Sequence, residues 1–243
     1  TKDFDWNISL NLAHNENEVT RLSNDVFTMD KILLGDVFIR GGSSSGTHVL
    51  EEGRPIGQFY GLVCNGIDEN GRYIMVDKDG DGEISDPADY DYIGSAQPKL
   101  TYGITNTFRY KNFDLSFFLR GTIGNDILNA TRMAYAQSGF LPGTNALDDP
   151  LTYTLSETPR FSNYYLEKGS FMRLDNLTLG YKIKALNGIR VYFTAQNLFV
   201  ITKYKGLDPE VPMDSGDGLT PGVEPREFYP KARTFSVGLN LNF

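Results

Sequence analysis

The chain of 243 residues holds one cysteine and two histidines, and each scarcity closes off a class of function. Cys64 alone cannot form an internal disulfide, so the redox compartment stays open. Besides His14 and His48 there is no histidine, and no H-E-x-x-H, Cys-His or G-x-S-x-G arrangement occurs, so the chain does not read as an enzyme. No apolar run reaches about 18 residues, which excludes a transmembrane helix. Basic stripes are missing as well, and with a net charge of −8 this argues against nucleic acid as a partner. Thr1 is not an initiator methionine and no signal peptide precedes it. The chain therefore reads as a mature or trimmed product, or as part of something longer.

What is present is alternation. From 233 to 243, Phe235, Val237, Leu239, Leu241 and Phe243 alternate with Thr234, Ser236, Gly238, Asn240 and Asn242. Strict period-two patterning predicts a strand with one apolar and one polar face. Its length is about the 9–11 residues that a tilted strand needs to cross a bilayer. Ending on an aromatic, it looks like the closing strand of an outer-membrane barrel with Phe243 as the terminal residue. The same pattern recurs at Phe4, Trp6, Ile8, Leu10 and Leu12, and at Leu100, Tyr102, Ile104, Phe108 and Tyr110, where Asn106 is the polar break. It returns at 113–119, at about 171–184, and from Ile189 through Ala195. Mean hydropathy is −0.33, but alternating strands average out in any hydropathy window.

The six predicted strands are joined by two short turns, at 111–112 and near Asn187-Gly188, and by three long connections, 15–98, 122–170 and 202–232. Short and long alternate strictly. An up-and-down trace then puts every short turn at one rim and every long loop at the other, the asymmetry of a transmembrane barrel. A soluble antiparallel sandwich would also alternate along its strands and remains the competing architecture. Within the long connections little regular structure is expected. The exception is a short helix over 126–137 with Asp126 as its N-cap. The run Gly41-Gly42-Ser43-Ser44-Ser45-Gly46 reads as a flexible loop tip.

The negative charge is concentrated. Between 68 and 91 lie nine acids against two bases, which accounts for seven of the eight net negative charges. Asp77, Asp79 and Asp81 followed by Gly82 match the opening of a calcium loop, with Glu83 offering its backbone carbonyl and Asp89 closing the set through one inserted residue. The alternative is a solvated Asp-Gly turn. Tyr60, Tyr135, Phe140, Tyr164 and Tyr165 could grip a sugar or peptide, or pack loop against loop; the ligand-binding residues are not readable.

Several stretches together carry a resemblance. They are Glu52-Gly53-Arg54-Pro55-Ile56-Gly57-Gln58-Phe59-Tyr60-Gly61, Asp77-Lys78-Asp79-Gly80-Asp81-Gly82, Ile93-Gly94-Ser95-Ala96-Gln97-Pro98, Leu174-Asp175-Asn176-Leu177-Thr178-Leu179-Gly180-Tyr181, Gln196-Asn197-Leu198-Phe199 and Lys205-Gly206-Leu207-Asp208-Pro209-Glu210. In order and rough spacing the chain resembles the C-terminal region of the SusC/RagA class of TonB-linked outer-membrane transporters of Gram-negative cells. That resemblance implies an all-β fold, a transmembrane antiparallel β-barrel of about 22 strands closed by an N-terminal plug. This chain would supply the last six strands, with long extracellular loops, and would lack the plug. It also implies energy-coupled import of an oligosaccharide or peptide. The implied partners are TonB, acting through the absent N-terminal region, a SusD-like surface lipoprotein as lid, and outer-membrane lipid. The alternative function is a secreted or surface binding module or adhesin without energy coupling.

Overall fold

The six alternating segments all form strands, and they lie side by side. In the computed structural model, which describes residues 3–40, 42–186, 188–211, 218–226 and 229–241, they build one antiparallel sheet. Its strands are β1 (Phe4–Ala13), β8 (Leu100–Tyr110), β9 (Phe113–Ile123), β12 (Phe171–Ile183), β13 (Ile189–Thr202) and β14 (Thr234–Asn240), in that spatial order. Each strand thus pairs with its neighbours in the expected meander. Lys111 takes a left-handed φ of 54° in the turn between β8 and β9, and Gly188 does so at 77° before β13. Asn187 of that second turn and Phe243 lie outside the described residues.

The long connections contain more order than the sequence suggests. Residues 15–98 carry a four-stranded sheet of β2 (Lys31–Ile39), β3 (Gly42–Glu51), β4 (Gln58–Leu62) and β7 (Tyr90–Ser95), plus a ribbon of β5 (Cys64–Ile67) and β6 (Tyr73–Met75). The expected loop tip is, from Gly42 on, the start of β3, with Gly42 to Ser45 paired to β2 from Ile39 back to Asp36, while Gly41 lies outside the described residues. Gly35 interrupts the register there at φ 74°, a conformation that L side chains avoid. The bulge shifts the side chains by one position, and that shift hides the alternation from a sequence reading.

The helix expected from Asp126 is corrected too. Asp126–Leu128 is a strand, β10, paired with β11 (Leu166–Lys168). The Asp126 carboxylate is taken by the Ser95 amide at 3.1 Å and the Lys168 ammonium at 2.7 Å, so it caps nothing. Helix α1 spans Ala130–Tyr135, and its cap is Asn129, whose side chain accepts from the Arg132 amide at 2.8 Å. Helix α2 spans Pro150–Thr154 behind an Asp149 cap.

The buried core lies among these connections, not in the six-stranded sheet. Val37, Ile39, Phe59, Met133, Leu151 and Phe161 belong to one buried cluster. The loop body therefore holds itself together by ordinary apolar burial, while the large sheet extends from it with its apolar face uncovered and its polar face covered at the long-loop end by the connection after β13.

Candidate functional site

Strand register assembles the alternating residues into rows. Phe4, Tyr110, Phe113, Tyr181, Val191 and Leu239 lie opposite one another across all six strands. The next apolar row is Trp6, Phe108, Leu115, Leu179, Phe193 and Val237. Aromatic rings concentrate at the short-turn end, with Trp6 stacked on Phe108 at 5.7 Å and Phe113 against Tyr181 at 4.6 Å. Among the described residues nothing covers this face: Trp6 is 59% exposed and Val237 76%. A sandwich would place a second sheet here, but among the described residues no other sheet lies on it, and the two buried apolar clusters sit elsewhere. No described helix is long and apolar enough to cross a membrane, which leaves crossing by strands untouched.

The opposite face is polar. Thr107, Ser116, Thr178, Thr194 and Ser236 form one of its rows. Arg190 reaches across Gly180 to pair with Asp114, its Nε at 2.9 Å, and a Cβ at 180 would collide with that guanidinium.

Towards the long-loop end the polar face carries an ion-pair network that sequence reasoning missed. Arg120 and Arg173 stand directly opposite each other on β9 and β12, an arrangement of like charges that needs acids between them. Those acids arrive from two sources. Asp175 is an extra residue in β12 relative to β9, and this bulge turns its carboxylate toward Arg120 at 3.0 Å. From the connection after β13, Glu210 grips Arg120 with both oxygens, at 2.6 and 3.1 Å. Asp208 from that same connection meets Arg173 at 2.5 Å. Asn197, opposite the bulge in a left-handed conformation, accepts from Arg173 and donates to the Lys231 carbonyl at 2.7 Å. Lys231 in turn pairs with Glu210. Burial would raise the Glu210 carboxyl, but the bonds from Arg120 and Lys231 outweigh it and hold the group below its ordinary value. The available signal was a pair of strand arginines, Arg120 and Arg173, with the Leu-Asp-Pro-Glu segment downstream; the bulge at Asp175 hid that both share the polar face.

The acidic segment is folded around its own carboxylates. Asp77, Asp79 and Asp89 bring one oxygen each within 4.8 Å of one another. Of the five residues expected to bind a cation, these three are gathered, while the Asp81 and Glu83 side chains lie outside that group. Asp89 is buried and accepts the Lys78 amide at 2.6 Å and the Ser85 amide at 2.8 Å. Those amides, Ser85 first, hold its carboxyl below the usual range, and Arg160 adds to the effect. Asp81 accepts the Glu83 amide at 2.8 Å.

The loop aromatics all have protein neighbours. Tyr60 packs on Tyr92 at 5.1 Å with the Lys31 ammonium 5.0 Å above its ring. Tyr135 and Phe140 flank Arg40, while Tyr164 sits edge-on to Tyr165. The hydroxyl of buried Tyr165 meets that of Tyr73 at 2.5 Å, and burial pushes the Tyr73 phenol up to about 12. Cys64 is buried and its thiol is pushed up by that burial, which disfavours the thiolate.

No protein-family profile matches the chain. Among known proteins it is 36% identical over 262 residues to the TonB-dependent receptor SusC of Bacteroides thetaiotaomicron, covering 100% of this chain and 25% of that protein. It is 32% identical over 288 residues to the TonB-dependent receptor P3 of Formosa agariphila, covering 100% of this chain and 27% of that protein. The chain thus spans about a quarter of the length of these relatives. In three dimensions it is similar to a structure of the RagAB peptide transporter, with a TM-score of 0.74 and 25% identity over 98% of this chain and 27% of that one.

Proposed function

Since the chain belongs to the SusC family of TonB-dependent receptors, we propose that it forms part of the wall of an outer-membrane β-barrel importing a nutrient, either an oligosaccharide or a peptide. The observation that carries this is the uncovered apolar face, which crosses all six strands with Asn106 as its polar break, five of those strands being of bilayer-spanning length. In this reading the polar face borders the lumen, the short turns are periplasmic and the long connections are extracellular. Both sheet edges, β1 and β14, pair with further strands of a closed barrel of about 22 strands, the size class whose lumen is plugged. TonB acts through a plug region outside this chain. A SusD-like lipoprotein sits on the extracellular rim.

An adhesin without energy coupling would present the same sheet. Import is favoured by the chain's full-length similarity to TonB-dependent receptors. The test is uptake of labelled oligosaccharides and peptides by cells carrying the whole receptor. Uptake should vanish when the proton gradient is collapsed; uptake or surface binding indifferent to the gradient favours the adhesin.

The same reading includes Ca²⁺ in the 77–89 segment. Asp77, Asp79 and Asp89 supply the hard oxygen ligands such an ion takes, and the ion would offset their mutual repulsion. Calorimetry of the whole receptor should detect binding at about 1 mM calcium or below, the range of extracellular modules. A flat titration there removes the ion from the reading.

A further inference from the structure

We infer that Arg173 and Arg120 form an ionic latch that fixes the connection after β13 against the polar face of the sheet, making residues 203–211 a rigid part of the wall. Four observations converge on it. Both arginines rise from strands, so their bases are held by ladders on either side. The facing bulges around Asp175 and Asn197 serve this network, since each turns one side chain onto an arginine. Two of the three acids, Asp208 and Glu210, come from one short segment, and the Asp208 carboxylate also accepts the Glu210 amide at 2.9 Å, which sets the spacing of the two carboxylates. Finally, the return arm is tied in by Lys231 and by its carbonyl on Asn197.

Charge arithmetic separates a latch from a ligand site. Arg120, Arg173 and Lys231 face Asp175, Asp208 and Glu210, so the network is neutral and offers no spare charge to an incoming ion. Arg173 is 1% exposed. Breaking one partner of such a buried pair leaves a charge uncompensated, a larger penalty than losing a surface pair. A second hold lies further along: Glu224 accepts the Leu207 amide at 3.0 Å and the Thr131 amide at 3.3 Å. The segment is thereby clamped on both sides. Only the statement that this face borders the lumen rests on the barrel reading; the latch itself does not.

Hydrogen exchange on the whole receptor, purified in detergent, tests it. Amides of 203–211 should exchange at least tenfold faster in Arg173→Met and in Asp208→Asn, while the ladder at 177–181 and 191–195 keeps its protection. Unchanged exchange in 203–211 would overturn the latch. Equal loss in the segment and the ladder would overturn it as well, because Arg173 would then merely hold the wall together. Should Arg173→Met fail to assemble, Asp208→Asn and Glu210→Gln lie off the strands and carry the same test. Transport does not enter these readouts, so failure of the import reading is distinguishable.

Discussion

Asn106 is the one polar side chain in the apolar row formed by Ile8, Phe117, Leu177, Ala195 and Phe235. Its Oδ1 accepts the Trp6 indole N–H at 3.1 Å, so two polar atoms facing the apolar side satisfy each other. The break in alternation thus supports a lipid-facing surface. The same surface makes a sharp prediction at Leu239, 62% exposed and opposite Val191. Leu239 lies in the outermost row beside the short turns, so Leu239→Arg should cost about 0–1 kcal/mol in unfolding from lipid, whereas Phe235→Arg, two rows further in, should cost about 2–4 kcal/mol. Gly238 is a poor control for the other face, because a Cβ there would meet the Tyr192 ring at 2.4 Å. Ser236, paired with Thr194, is the better one. Arg tolerated at 235 and not at 236 would reverse the two faces. In the loop body, Phe59 is fully buried, and Phe59→Ala should cost about 3–5 kcal/mol there, read as loss of exchange protection in β4 and β7.

Among elements, legibility followed the length and isolation of the alternating pattern. The six long strands were readable because each exposes one face to one environment over many residues. β2 was not, since Leu33-Leu34-Gly35 breaks its period and the bulge at Gly35 re-phases it. β10 was misread as a helix start because an Asp before Ile127 and Leu128 satisfies a cap pattern as well as a three-residue strand. Of the five ligands expected in the acidic segment, Asp77, Asp79 and Asp89 converge while the Asp81 and Glu83 side chains do not; the Arg173 network, built from distant residues, left only two strand arginines and a downstream acidic segment as its trace. The acidic element carries a pH prediction. A depressed folded pKa means folding favours the ionised form, so that stabilisation is present above the ordinary carboxylate range and is lost as pH falls through the folded value. Both Asp89 and Glu210 are depressed, so the 77–91 and 203–211 segments should loosen only below that range. Exchange rates compared at pH 6 and about pH 3 check this. Loosening on raising the pH toward 8 would contradict the assignment.

At the scale of the whole molecule, the long connections are one packed body at one end of the sheet, and this bears on how a lid would dock. His48 in β3 bonds the Pro221 carbonyl at 2.9 Å, the Leu128 amide donates to Gly222 at 2.9 Å, and α1 packs on β2 in the shared core. A pre-ordered rim loses little entropy on binding, so affinity should depend on its exposed apolar residues. Phe140, Leu141 and Tyr153 are such residues, at 40, 51 and 73% exposure. Deleting 143–158 outright would be a blunt test, because it removes Leu151 and Thr152 from the buried interior. Substituting Phe140→Ser, Leu141→Ser and Tyr153→Ser leaves the core in place. If the SusD-like lipoprotein docks here, the triple variant should weaken its co-purification from membranes at least tenfold, while Phe235→Arg should act on assembly alone. A lid retained at full affinity, after matching surface changes at Val26 and Phe27 as well, would place docking on strands outside this chain.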